Sequence, residues 1–110
     1  MKKFLLVSMV ALFFTIPSFA FDLSGWENGN VARGQWAWFT GQARDCKDPI
    51  PVPGTHTRAE WQQMLTSDKG KLPCGGSGLN QRIIGHVYKF LYEHASDSDN
   101  PMNQKPESCG

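Results

Sequence analysis

Three sets of side chains in this sequence could do chemistry: the cysteines Cys46, Cys74 and Cys109, the histidines His56, His86 and His94, and the thioether of Met64. A thiolate nucleophile at Cys46 needs a base, for which His56 is the candidate, and positive surroundings that lower its pKa. Arg44 and Lys47 bring positive charge, but Asp45 and Asp48 oppose it. No catalytic centre is specified, and the chain reads as a non-enzyme. A zinc site from Cys46, His56, Cys74 and His86 has no finger or ribbon spacing, so no metal is expected. Met64 could ligate haem iron, yet its place beside Trp61 and Leu65 suits ordinary packing. Asp97-Ser98-Asp99-Asn100 alternates oxygen donors but lacks the Gly and the distant Glu of a calcium loop.

Three cysteines permit one internal disulfide and leave one thiol over. Loop-closure entropy gives roughly 3.6 kcal/mol for Cys46–Cys74, roughly 3.8 for Cys74–Cys109 and roughly 4.3 for Cys46–Cys109, values too close to choose between. Structural need points to Cys74–Cys109, because that bridge would pin a Gly-rich loop and a polar tail across the ends of the main helix. Cys46 is then expected to stay outside the bridge.

The elements that must position these groups are helical. In VARGQWAWFTGQARDC, residues 31–44 place Val31, Ala32, Trp36, Trp38, Phe39 and Ala43 on one broad arc. Gly34 and Gly41 each weaken that helix by about 1 kcal/mol. The run DPIPVPG, with three alternating prolines, forms a stiff loop without the donors a helix needs. Thr57-Arg58-Ala59-Glu60 reads as a capping box opening a helix over 58–66 that buries Trp61, Met64 and Leu65. Residues 67–78 are Gly-rich loop. The strongest period covers 79–95, where Leu79, Ile83, Ile84, Val87, Tyr88, Phe90 and Leu91 fill half of a helical wheel. His86 falls at the edge of that arc, His94 sits at the helix C-terminus where an imidazolium suits the macrodipole, and His56 precedes an N-cap. The fold class is all-α, a small domain of about three helices with long loops.

The first 20 residues read as an export signal: Lys2 and Lys3, an apolar run from Phe4 to Ile16, and the small-x-small signature Ser18-Phe19-Ala20. A cut after Ala20 leaves 90 residues of the 110 as one domain, bound for the periplasm or the outside of the cell. The apolar run is shorter than the roughly 20 residues of a membrane span, so none is expected. Loss of Lys2 and Lys3 leaves 9 basic residues against 10 acids, a formal charge of −1, which is no footprint for nucleic acid. Four Trp, three Phe and two Tyr in this part exclude the disordered classes.

Three segments resemble the small exported single-haem c-type cytochromes of bacteria. ARGQWAWFTGQARDC resembles the helix leading into their haem-attachment motif, THTRAEWQQML their middle helix, and LPCGGSGLNQRIIGHVYKFLYEHASDSDNPMNQKPESCG their final helix with an acidic turn and a terminal Cys-Gly. Where that family shows Cys-x-x-Cys-His, this chain reads Cys46-Lys47-Asp48-Pro49-Ile50. The second thioether cysteine and the proximal histidine are both missing. The resemblance therefore implies a cytochrome-c-like domain without covalent haem, with Cys46 as a vestigial attachment position and Cys74 and Cys109 as disulfide partners. It implies an accessory or interaction module for a periplasmic protein partner, a redox protein being the kind that such a family suggests. Two other functions compete: an electron carrier whose haem is held by His56, Met64 or His86, and a binding module presenting Trp26, Trp36 and Trp38 to sugars or peptide. On the haem-less reading, the space a haem would take is filled by the chain's own Trp36, Trp38, Phe39 and Trp61, with the proline loop folded across the opening.

Overall fold

The computed structural model describes residues 20–107; the segment up to Phe19, read from sequence as an export signal, and Cys109 lie outside the described residues. Three helices carry the fold, α1 (Val31–Trp36), α2 (Arg58–Thr66) and α3 (Gln81–His94), joined by short 3-10 turns, and no strand occurs among the described residues. The all-α class expected from the sequence is what the structure has. No helix of the described residues is long and apolar enough to cross a membrane.

The Asn30 side chain starts α1 by accepting the Arg33 N–H. The helix does not stop at Trp36. It widens into a π turn over Ala37–Gly41 and tightens into a 3-10 turn over Gln42–Arg44, so the helical path covers the expected 31–44 with two changes of pitch. Gly34 explains why a residue that costs helix propensity stands in α1: it is buried, and a Cβ there would run into the His86 carbonyl and lie 2.9 Å from Phe90 Cβ. The backbones of α1 and α3 approach each other at a distance only glycine permits.

The capping box of α2 is complete, with Glu60 N–H donating to Thr57 Oγ1 at 3.1 Å and Thr57 N–H to Glu60 Oε1 at 2.9 Å. This meets two of the helix's orphan donors. Its buried face is Trp61, Met64 and Leu65, as its period predicts. The third helix begins at Gln81, two residues later than its apolar pattern suggests. Asn80 is extended there and accepts the N–H groups of Arg82 and Ile83, which makes it the N-cap and leaves Leu79 outside. Ile84, Val87, Tyr88, Phe90 and Leu91 are its buried residues.

The disulfide corrects the sequence expectation, because Cys46 is bonded to Cys74 with Cα atoms 5.8 Å apart. The expected Cys74–Cys109 pair is thereby replaced, and Cys46 is neither free nor exposed. Two physical reasons account for it. The tail does not need a bridge, since Met102 N–H donates to the His94 carbonyl at 2.9 Å, Gly54 N–H to the Met102 carbonyl at 2.8 Å and Ser96 N–H to the His56 carbonyl at 2.9 Å. The Gly-rich loop is held from the other side: the Asp48 carboxylate accepts the Cys74 N–H at 2.9 Å. A left-handed run at Cys74, Gly75 and Gly76, with φ of 51°, 64° and 82°, completes that turn.

The segment before α1 is anchored at both ends. Phe21 N–H donates to the Leu65 carbonyl at 2.9 Å. Trp26 packs between Tyr88 and Tyr92, at 4.8 and 4.7 Å between ring centres.

Candidate functional site

Two tryptophans form the centre of the core, and one of the candidate residues, His56, packs against one of them. Trp38, on the π turn after α1, and Trp61, on the first turn of α2, are both fully buried and stand edge to face, 5.4 Å between centres and 82° between planes. An indole N–H removed from water must find an acceptor. Trp38 Nε1 donates to the Pro51 carbonyl at 2.8 Å, and Trp61 Nε1 to the Pro53 carbonyl at 2.9 Å. The proline loop supplies both, because prolines lack an N–H but keep their carbonyls. It lies across the aromatic centre, as expected, and Phe39 meets Phe90 edge to face at 5.9 Å to extend it. Trp38, Phe39 and Trp61 are core residues, while Trp36 is only half-buried, beneath the Arg44 guanidinium.

His56 and Met64 are brought together and His86 is not. The His56 ring packs against Trp61 at 4.7 Å with its Nδ1 3.0 Å from the Thr55 hydroxyl. Buried Met64 and His56 line one hollow with Glu60, Gln63, Asp68 and Lys71. His86 lines a different hollow and does a structural job: its Nδ1 accepts the backbone N–H of Asn30, the α1 cap residue, at 2.8 Å. His94 Nδ1 pairs with the Asn100 carbonyl at 2.9 Å and so fixes the start of the tail. Asp97, from the acidic turn, accepts the Arg58 N–H at the beginning of α2.

Trp26, Trp36 and Trp38 do not form one exposed aromatic face, since Trp38 is wholly enclosed and Trp26 is engaged by two tyrosines. Around Trp26, burial pushes the Tyr88 phenol above the ordinary tyrosine value, with a further push from Tyr92 against a smaller pull from Arg58. The Arg58 guanidinium lies 3.8 Å over the Tyr92 ring, and its Nε donates to the Tyr92 carbonyl. Before α1, the backbone N–H and hydroxyl of Ser24 hold the exposed Asp22 carboxyl below its ordinary value.

Two residues that sequence reasoning passed over belong to the site. Gln42 is fully buried, donates from Nε2 to the Trp38 carbonyl at 2.9 Å, and has no partner for Oε1 among the described residues. Asp48 read only as a charge opposing Cys46, yet it orients Cys74. The sulfurs of Cys46 and Cys74 and a carboxylate oxygen of Asp48 all lie within 4.8 Å of one another. A Cys-x-Asp spacing was the available signal for Asp48; for Gln42 its place between apolar neighbours gave none.

No family model, curated protein or solved structure matches this chain.

Proposed function

We propose that this protein is an exported, non-enzymatic helical domain of cytochrome-c-like type that holds no covalent haem and serves as an accessory or interaction module in the periplasm. One observation carries the reading. The Trp38–Trp61 pair is fully buried in the core, with both N–H groups committed to the proline loop that follows Cys46-Lys47-Asp48, where an attachment motif would begin in the sequence. A macrocycle entering there must expel two fully buried indoles and break their two hydrogen bonds, of which the buried one from Trp61 costs about 1–3 kcal/mol when its partner is left unpaired. The Cys46–Cys74 bridge suits an oxidising compartment, in keeping with export.

The electron-carrier alternative draws on the hollow shared by His56 and Met64. That hollow measures about 210 Å³ and is rimmed by Glu60, Gln63, Asp68 and Lys71, whereas sites for small ligands and cofactors run to roughly 300–1,000 Å³ with mostly apolar walls. The deciding experiment is an absorption spectrum of the protein from its native host, followed by titration with haemin. A spectrum of tryptophan and tyrosine alone, with no saturable Soret band on titration, is expected. A stoichiometric Soret band that disappears in Met64→Ala or His56→Ala would transfer the function to the electron-carrier class.

A further inference from the structure

We propose that the reduced protein has a binding site for one thiophilic divalent cation, formed by Cys46 Sγ, Cys74 Sγ and a carboxylate oxygen of Asp48. The three donors come from two segments: Cys46 and Asp48 from the end of the first helical path and the loop after it, and Cys74 from the Gly-rich loop before α3. All three donor atoms already lie within 4.8 Å of one another. The 5.8 Å between the two Cα atoms lets the side chains separate their sulfurs by rotation without moving the backbone. Asp48 is oriented for the purpose, because its Oδ2 accepts the Cys74 N–H. A bond of this kind from the chain to a ligating carboxylate is what fixes such ligands in metal sites.

Charge explains why a cation belongs there. Reduction by an external dithiol consumes one disulfide and gives two thiols here and one disulfide on the reductant. Two thiolates beside a carboxylate would put three negative charges within one ligand sphere, and like charges at that range hold one another protonated. A divalent cation removes the conflict: it binds both sulfurs as thiolates and releases their two protons. Two sulfurs and one oxygen occupy three positions of a tetrahedron, the open arrangement that zinc-type ions accept with water as a fourth ligand. A hollow lined by Asp48, Pro49, Pro51, Lys71, Leu72 and Pro73 opens beside the carboxylate, so water and ion have a path. The oxidised protein, whose sulfurs are bonded to each other, has no such site. The bridge is therefore a gate that closes the metal site in an oxidising medium and opens it under a dithiol.

Cobalt(II) provides the probe, since thiolate ligation gives it an intense near-ultraviolet charge-transfer band. The full chain carrying Cys109→Ser, reduced without oxygen, is titrated with cobalt and then with zinc. The band should saturate at one equivalent, be absent from the oxidised protein, be displaced by zinc, and weaken on the order of ten- to a hundred-fold in affinity in Asp48→Asn. Far-ultraviolet circular dichroism runs alongside. If reduction alone lowers the helix signal, zinc should restore it in the chain with Asp48 and should need about ten- to a hundred-fold more to do so in Asp48→Asn. No charge-transfer band in the reduced chain, one ion per two chains, or equal affinity in Asp48→Asn would overturn the proposal.

Discussion

Replacing Gly34 by alanine should destabilise the protein although it improves the helix. Alanine gains about 1 kcal/mol over glycine in a helix interior. The added Cβ, however, falls 2.9 Å from Phe90 Cβ and collides with the His86 carbonyl. Ordinary contact between carbons is about 3.5–4.0 Å, so α1 and α3 must part by roughly 1 Å. Neither obstacle can rotate away, as one is backbone and the other the first carbon of a fully buried ring. A gap of that size forfeits a quarter to a half of each contact it opens, and overpacking of a tight core costs about 1–3 kcal/mol or somewhat more. With the helix gain subtracted, the net loss should be about 2 kcal/mol. In a domain of this size that lowers Tm by something like 8–16 °C. Thermal and urea unfolding of Gly34→Ala are compared with Gly70→Ala, where a Cβ meets nothing within 4 Å and stability should hold or rise by about 0.4–1 kcal/mol. A Gly34→Ala protein as stable as the parent would show that the helices are not packed backbone to backbone, and the account of the core would fail with it.

Trp61→Phe keeps a ring in the core but strips the donor from the Pro53 carbonyl; a loss of about 1–3 kcal/mol in urea unfolding is expected, beyond any void. Thr57→Ala removes half of the capping box and should cost about 0.5–2 kcal/mol by the same assay. Peptide mapping without reductant should recover Cys46 and Cys74 fragments linked, and reduction should lower stability by up to about 3.6 kcal/mol on the loop-entropy model. The raised Tyr88 phenol should contribute to the alkaline loss of stability. Its folded form holds the proton more tightly than the unfolded chain, so its contribution is complete below the ordinary tyrosine pKa and is lost as pH rises through the folded value. Ultraviolet titration should show Tyr88 ionising above the ordinary tyrosine value, and Tyr88→Phe should reduce the alkaline loss of stability; an unchanged profile would remove Tyr88 from that role.

The parts of the fold legible in the sequence are those written in neighbouring residues. The Thr57/Glu60 box and the apolar half-wheel around Ile84, Val87 and Leu91 act over one or two turns, and both formed as read. What went unread depends on pairs far apart in the chain. Gly34 looked like a flaw in a helix because its reason, the His86 backbone, lies on another helix. The tail looked loose because carbonyls and N–H groups of Gly54, His56 and His94 carry no side-chain signature of the bonds they make. That hid its support and sent the disulfide to Cys109. At the candidate site, the aromatic filling was legible in residue types, whereas the acceptors at Pro51 and Pro53 became visible only when the loop was placed.

The bond from Phe21 to Leu65 bears on the cleavage expected after Ala20. Cleavage after Ala20, where the small-x-small signature places it, would turn the Phe21 amide into a free ammonium. Its nitrogen already stands 2.9 Å from a carbonyl in the last turn of α2. That end of a helix carries partial negative charge, and a cation seated there is worth about 0.3–1 kcal/mol. Cleavage would thus add a positive charge to a cap that α2 already has, so the mature chain would be tighter than its precursor, and acetylating its new amino terminus would undo the gain.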